Sequence, residues 1–287
     1  MNFNKKQAET VGFSGKTTAE ALAGTTDLCI AAHHDDIEIM AYGPIAACYD
    51  ASDRAFTGVV VSDGASSARS GAYSSMTDEE MKTVRVREQL NAARIGNYAA
   101  QIFLAFESSE IKDASCSAVV DDIEQLLLHS GAETVYTHNL ADKHDTHVAV
   151  ALRTIAALRR LPEEKRPRKV YSMEVWRGLD WLCDSDKALF DTGAHPNLAA
   201  ALLGVFDSQI CGGKRYDAAA LGRRHANATF FESHAVDVSD SLSFGLDITG
   251  LVFDENLSPL RFICDHIARF ENEVSDRINR LQAGVQK

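Results

Sequence analysis

Short apolar runs alternating with longer helical patterns predict an α/β protein: a Rossmann-like, mostly parallel sheet flanked by helices, with an appended C-terminal α+β lobe. Candidate strands fall at 27–32, 55–62, 101–106, 134–137 and 169–175. Each is a continuous apolar run rather than an alternating one. Such runs suit strands covered on both faces, as parallel strands are. Helical patterns lie between them at 37–50, 78–97, 117–130 and 147–160, giving the strand–helix order of a sheet built from right-handed crossovers.

Taken in order, the boundaries have local causes. Thr77 followed by Glu80 reads as a capping box opening the 78–97 helix. Pro162 and Pro167 bracket a charged loop that ends the 147–160 helix. The pattern loosens after about residue 180, where Gly212-Gly213 reads as loop and 246–253 as one more strand. Ser258-Pro259 then starts a terminal helix. Its stripe of Leu260, Ile263, Ile267, Phe270, Val274, Ile278 and Leu281 predicts a packing element. Residues 25–180 are expected to form a catalytic core, with 181–287 a lobe completing the same domain.

Composition narrows the function. The 287 residues are 45% hydrophobic and 24% charged, as in ordinary folded proteins. A formal charge of −12 and the lack of any Lys/Arg block argue against a nucleic-acid surface. Six dispersed cysteines without a C-x-x-C pair suggest reduced thiols rather than a disulfide framework. No run is apolar enough for a membrane span, and residues 1–26 have no apolar signal-like core. A cytoplasmic protein is expected, and a homo-oligomer is compatible with the sequence.

Two polar clusters stand out. Ala32-His33-His34-Asp35-Asp36-Ile37-Glu38 follows the first predicted strand, and His144-Asp145-Thr146-His147 opens the helix after the fourth. Open α/β sheets bind ligands at the carboxyl ends of their strands. Histidines three apart on one helical turn can converge on a point. Each cluster alone is a modest signal, and Asp in such a turn is also a good helix cap. Together, both at strand ends on one edge of the sheet, they predict a metal site.

These residues resemble the signature of the PIG-L/LmbE-like deacetylases, which include N-acetylglucosaminyl-phosphatidylinositol deacetylase and bacterial thiol-glycoside deacetylases. That family has Ala-His-Pro-Asp-Asp-Glu after the first strand and His-x-x-His after the fourth. Here His34 replaces the Pro, and Ile37 displaces the acid to Glu38. The resemblance runs from about residue 25 to 160 and implies that His33, Asp36 and His147 hold the metal, with Asp35 and His144 in proton and charge work. Two imidazoles and a carboxylate with a fourth position open match catalytic zinc, and Fe²⁺ is the other candidate. On this reading a metal-activated water attacks an N-acetyl amide with Asp35 as general base, and His144, as a cation, stabilises the oxyanion or protonates the amine. Protonated Asp35 competes for that last role. The implied substrate is a small N-acetylated, sugar-like molecule.

Residues on the substrate side follow from position. Arg85 and Glu88 share the inward stripe of the 78–97 helix, where the family has Arg-x-x-Glu. The Ser/Gly-rich loop after residue 62 should overhang the metal, with Arg69 and Tyr73 available to grip a substrate. Trp176, beside Glu174, Arg177 and Asp180, offers an aromatic platform, and His234 is a candidate from the lobe. His34 reads as a solvent-facing turn residue and His138 as a loop hydrogen-bonding residue. Two other functions fit less well: an amidase cutting a larger acyl group, and a non-catalytic sugar- or nucleotide-binding module. Against the last, no Gly-x-Gly-x-x-Gly follows the first strand, and Asp35-Asp36 would repel a pyrophosphate.

Overall fold

A computed structural model describes residues 1–283. Eight strands form one sheet: β1 (Glu9–Gly12), β2 (Asp27–Ala31), β3 (Phe56–Ser62), β4 (Ala100–Phe106), β5 (Thr134–His138), β6 (Lys169–Met173), β7 (Lys187–Asp191) and β8 (Leu242–Asp247). Their order across the sheet is β1-β4-β3-β2-β5-β6-β8-β7. The central five, β4-β3-β2-β5-β6, are parallel. β1 adds antiparallel on one edge, and β8 and β7 add antiparallel on the other.

Helices cover both faces, which is why the central strands carry apolar residues without alternation. One face is packed by α1 (Thr18–Ala23), α6 (Ser117–His129), α7 (Asp145–Arg160), α11 (Thr249–Phe253) and the start of α12 (Pro259–Gln282). The other is packed by α2 (Asp36–Met40), α3 (Tyr42–Tyr49), α4 (Asp78–Ile95) and α8 (Pro196–Gly204). The remaining helices are α5 (Ser108–Lys112), α9 (Asp207–Ile210) and α10 (Tyr216–Phe230). Among the described residues, no helix is long and apolar enough to cross a membrane.

Several local expectations change. The 37–50 helix is two helices, broken at Ala41, because Pro44 has no N–H to continue the ladder from α2. The 246–253 run is not a strand. β8 ends at Asp247, whose carboxylate accepts the Thr249 N–H, and the rest of the run becomes α11 with Leu251 and Val252 buried. A short apolar run does not itself distinguish strand from buried helix. α12 packs through Ile263 and His266, but Leu260, Ile267, Ile278 and Leu281 are exposed, so only its first half is a packing element.

The strand order places the site. β2 leads to β3 on one side, while β5 lies on its other side, so β2 and β5 flank the point where the order reverses. A crevice opens there at the carboxyl ends of parallel strands. The His33–Asp36 turn leaves β2 and the His144–His147 segment follows β5, so topology brings together residues 114 positions apart.

Candidate metal centre and its cleft

Three donor atoms meet at this crevice. His33 Nδ1 lies 3.1 Å from both Asp36 Oδ2 and His147 Nε2, and His147 Nε2 lies 3.3 Å from Asp36 Oδ2. Ligands bound tetrahedrally at about 2.0–2.1 Å would stand roughly 3.3–3.4 Å apart. The triangle therefore fits one divalent ion with an open fourth position. The turn itself is fixed by the His33 N–H donating to Asp36 Oδ2 at 2.7 Å.

A carboxylate missed in the sequence supports the triangle. Asp142 Oδ2 lies 3.7 Å from His147 Nδ1, and the same side chain accepts the backbone N–H groups of His144 and Trp176. Such a carboxylate orients a ligating imidazole so that its other nitrogen faces the ion. Asp142 stands two residues before His144, and that spacing was the available signal. His138 also packs here, 3.9 Å from the His147 ring and 3.6 Å from Asp36 Oδ2. It accepts the Ala32 N–H at 2.8 Å, the hydrogen-bonding role its position suggests.

The electrostatics divide the two adjacent acids. Burial raises the Asp36 carboxyl, but His147, together with hydrogen bonds from His147 and His33, outweighs burial and holds it well below the usual carboxylate range. Asp35 points elsewhere. Burial pushes its carboxyl well up, against the pull of Arg85, whose guanidinium lies 3.6 Å away. Asp35 also has a left-handed backbone, φ 86°, with its N–H donated to Gln89 Oε1. Behind the turn, Glu38 accepts from Gln89 and Tyr98, and burial raises it to about 7.

The histidines require two corrections. His34 is fully buried rather than solvent-facing. Its ring stacks on Phe103 at 5.5 Å, and a Cβ added at Gly64, φ 79°, would press on it. His144 is lowered to about 4, first by burial and then by positive charge on His147 and His33. The cationic form expected of it is not its resting form, and a bound dication would oppose that form further.

Above the triangle lies a cavity of about 710 Å³, and a second of about 210 Å³ adjoins it. His33, His144, Ser66 and Arg85 line both. Arg85 donates to His34 O and Ser67 Oγ, pinning the loop after β3 over the turn. Trp176 lines the larger cavity, its ring 6.3 Å from that of His144. Four expected substrate residues do not face the cleft. Arg69 is held inside its loop by Met76 O, Ala65 O and Asp78. Tyr73 donates to Asp207, and Glu88 accepts from the Ser208 N–H and hydroxyl, tying loop and α4 to α9. His234 is exposed and lines neither cavity. In their place α10 and the turn before it bring Lys214, Tyr216 and Arg223 to the wall. Burial, with the charges of Asp35 and Asp36, keeps the Tyr216 phenol protonated by raising it to about 12. These residues lay in the loosely patterned part of the sequence, which offered no motif.

Residues 28–158 match the family model described as PIG-L, GlcNAc-PI de-N-acetylase. Over this stretch the chain is similar to PIG-L domains. The matched segment holds both clusters of the triangle, whereas Trp176 and the α10 wall lie beyond it. Solved structures share the fold. N,N′-diacetylchitobiose deacetylase from Pyrococcus horikoshii is 14% identical with a TM-score of 0.62, covering 80% of this chain and 86% of that one. The A40926 pseudoaglycone deacetylase Dbv21 is 16% identical with a TM-score of 0.56, covering 78% and 96%. GalB, a 4-carboxy-2-hydroxymuconate hydratase from Pseudomonas putida KT2440, is 19% identical with a TM-score of 0.56, covering 78% and 96%. No curated protein matches the chain in sequence. One fold thus hosts both deacetylases and a hydratase, so function has to be argued from the site.

Proposed function

We propose that the protein is a metal-dependent deacetylase that hydrolyses the N-acetyl group of a small, N-acetylglucosamine-like substrate. The observation that carries this is the donor triangle of His33, Asp36 and His147 with the separately directed acid Asp35 beside it. The similarity to PIG-L domains and the deacetylases among the structural neighbours support the same reading.

In this reading His33, Asp36 and His147 would hold a zinc ion, with Fe²⁺ the alternative. The ion would polarise the amide carbonyl and make a water acidic enough to attack near neutral pH. Asp35 accepts that water's proton, and its raised carboxyl then suits it to return the proton to the departing amine. His144 at rest is neutral and donates an N–H to the developing oxyanion. Tyr216 stays protonated and offers a second donor into the cleft. The larger cavity takes the amine-bearing sugar and the smaller one the acyl group.

The test is elemental analysis of the purified protein for zinc and iron, followed by acyl release from N-acetyl, N-propionyl and N-butyryl glucosamine. One ion per chain with acetate released fastest is the expected result. Faster release of the longer acyl groups would favour the amidase reading, for which the 210 Å³ cavity has room. A metal-loaded protein that cleaves none of these amides, and releases no acetate from phosphate- or carboxylate-bearing N-acetylglucosamines either, would overturn the assignment.

A further inference from the structure

The cleft is charged against the trend of the molecule. The chain carries −12 overall, yet Lys214 and Arg223 line the wall facing the triangle. Among the residues lining this cavity the carboxylates are Asp35 and Asp36, both on its floor and both already engaged there. Arg215, also on the rim, is paired with Asp217. Lys214 and Arg223 have no carboxylate at ion-pair distance among the described residues. Lys214 Nζ sits 4.5 Å from the centre of the Trp176 ring, and Arg223 is anchored by one Nη1 contact to Val175 O, leaving its other N–H groups for a ligand.

Neither cation has an ion-pair partner among the described residues, Glu174 acting on Arg223 only from beyond that distance, so the two repel each other and the cleft walls concentrate their field on the space between. An oxyanion entering the cleft would relieve that repulsion, and an ammonium and a guanidinium match phosphate or carboxylate oxygens in charge and geometry. Position agrees: Trp176 neighbours both, its ring 6.3 Å from that of His144 and 4.5 Å from Lys214 Nζ, so the cation shares the cleft with the reacting corner.

We infer that the substrate carries an anionic group, a phosphate or a carboxylate, on its amine-bearing part, and that Lys214 and Arg223 bind it at the cleft mouth. This rests on the deacetylase reading only in where the amide lies. Calorimetry on the metal-loaded protein, in the Asp35→Asn background so that nothing turns over, would compare N-acetylglucosamine with its 1-phosphate, its 6-phosphate and N-acetylmuramic acid. The two phosphates and the carboxylate distinguish the possible anions. At least one should bind about tenfold or more tighter than the neutral sugar, with an affinity that falls as salt rises. Lys214→Ala, at an exposed position that should not disturb folding, and Lys214→Ala/Arg223→Ala should shrink that ratio stepwise towards one. Equal binding of neutral and anionic sugars, or a preference that survives the double variant, overturns the inference. Acetate release by the parent protein is scored separately. Tight anion binding without release from any probe leaves this inference standing and removes the deacetylase, while release with no anion preference does the reverse.

Discussion

Asp35 combines two costs that one role explains. Its left-handed backbone is rare for a residue with a side chain, and its acid is buried with a raised pKa beside an arginine. Strained, buried groups of this kind persist where they serve chemistry. Asn tolerates the same backbone and shape, so Asp35→Asn should fold and bind metal as the parent does while acetate release falls by about 10²–10⁴. Activity within twofold of the parent would remove Asp35 as the base. His147→Ala should instead lose the ion on dialysis, because it deletes one donor of three. Retention of a full equivalent of metal would show that the triangle has been misread. At this scale the sequence singled out His33, Asp35, Asp36, His144 and His147, which the fold gathers at one crevice, because they are packed into two short stretches. It did not reveal Asp142, Tyr216, Lys214 or Arg223, since a single polar residue carries no pattern until folding sets it beside others.

Among the elements, β3 shows how closely the site's supports are packed. A Cβ added at Gly58 would stand 2.6 Å from Gln101 Oε1 and 2.9 Å from Ile37 Cδ1, and Ile37 belongs to α2, which carries Asp36. Gly58→Ala should therefore destabilise by about 1–3 kcal/mol in urea unfolding. An unchanged midpoint would mean that α2 is free to shift. The parallel strands and α4, α6 and α7 were legible because continuous apolar runs and amphipathic stripes are local signals. β1 and β7 were not, being four and five residues long and half exposed at the sheet edges. α12 shows the opposite error: a strong apolar stripe specifies a face but not whether anything in the same chain covers it.

For the molecule as a whole, Glu38 couples the site to stability. Its pKa of about 7 in the folded protein lies above its ordinary 4.5, so the folded state keeps a proton that the unfolded chain releases. The stability contributed by that neutral acid is complete below pH 4.5 and is lost as pH rises through 7. Glu38→Gln stays neutral and can still accept from Gln89 and Tyr98. Between pH 5 and 8 the variant should gain on the parent by up to about 3 kcal/mol, read as the difference between their urea midpoints. Parallel profiles would reject this coupling.

The cleft's two sides come from different lengths of chain: the reacting corner from within residues 28–158, the opposing wall from 209–223. On the proposed reading, the metal-holding triangle and the opposing wall are thus written in separable tracts of one chain. Rewriting the later tract around Tyr216 would retune which molecules are admitted while leaving the triangle and Asp35 untouched, so diversification of this scaffold needs only part of one of its two texts to drift.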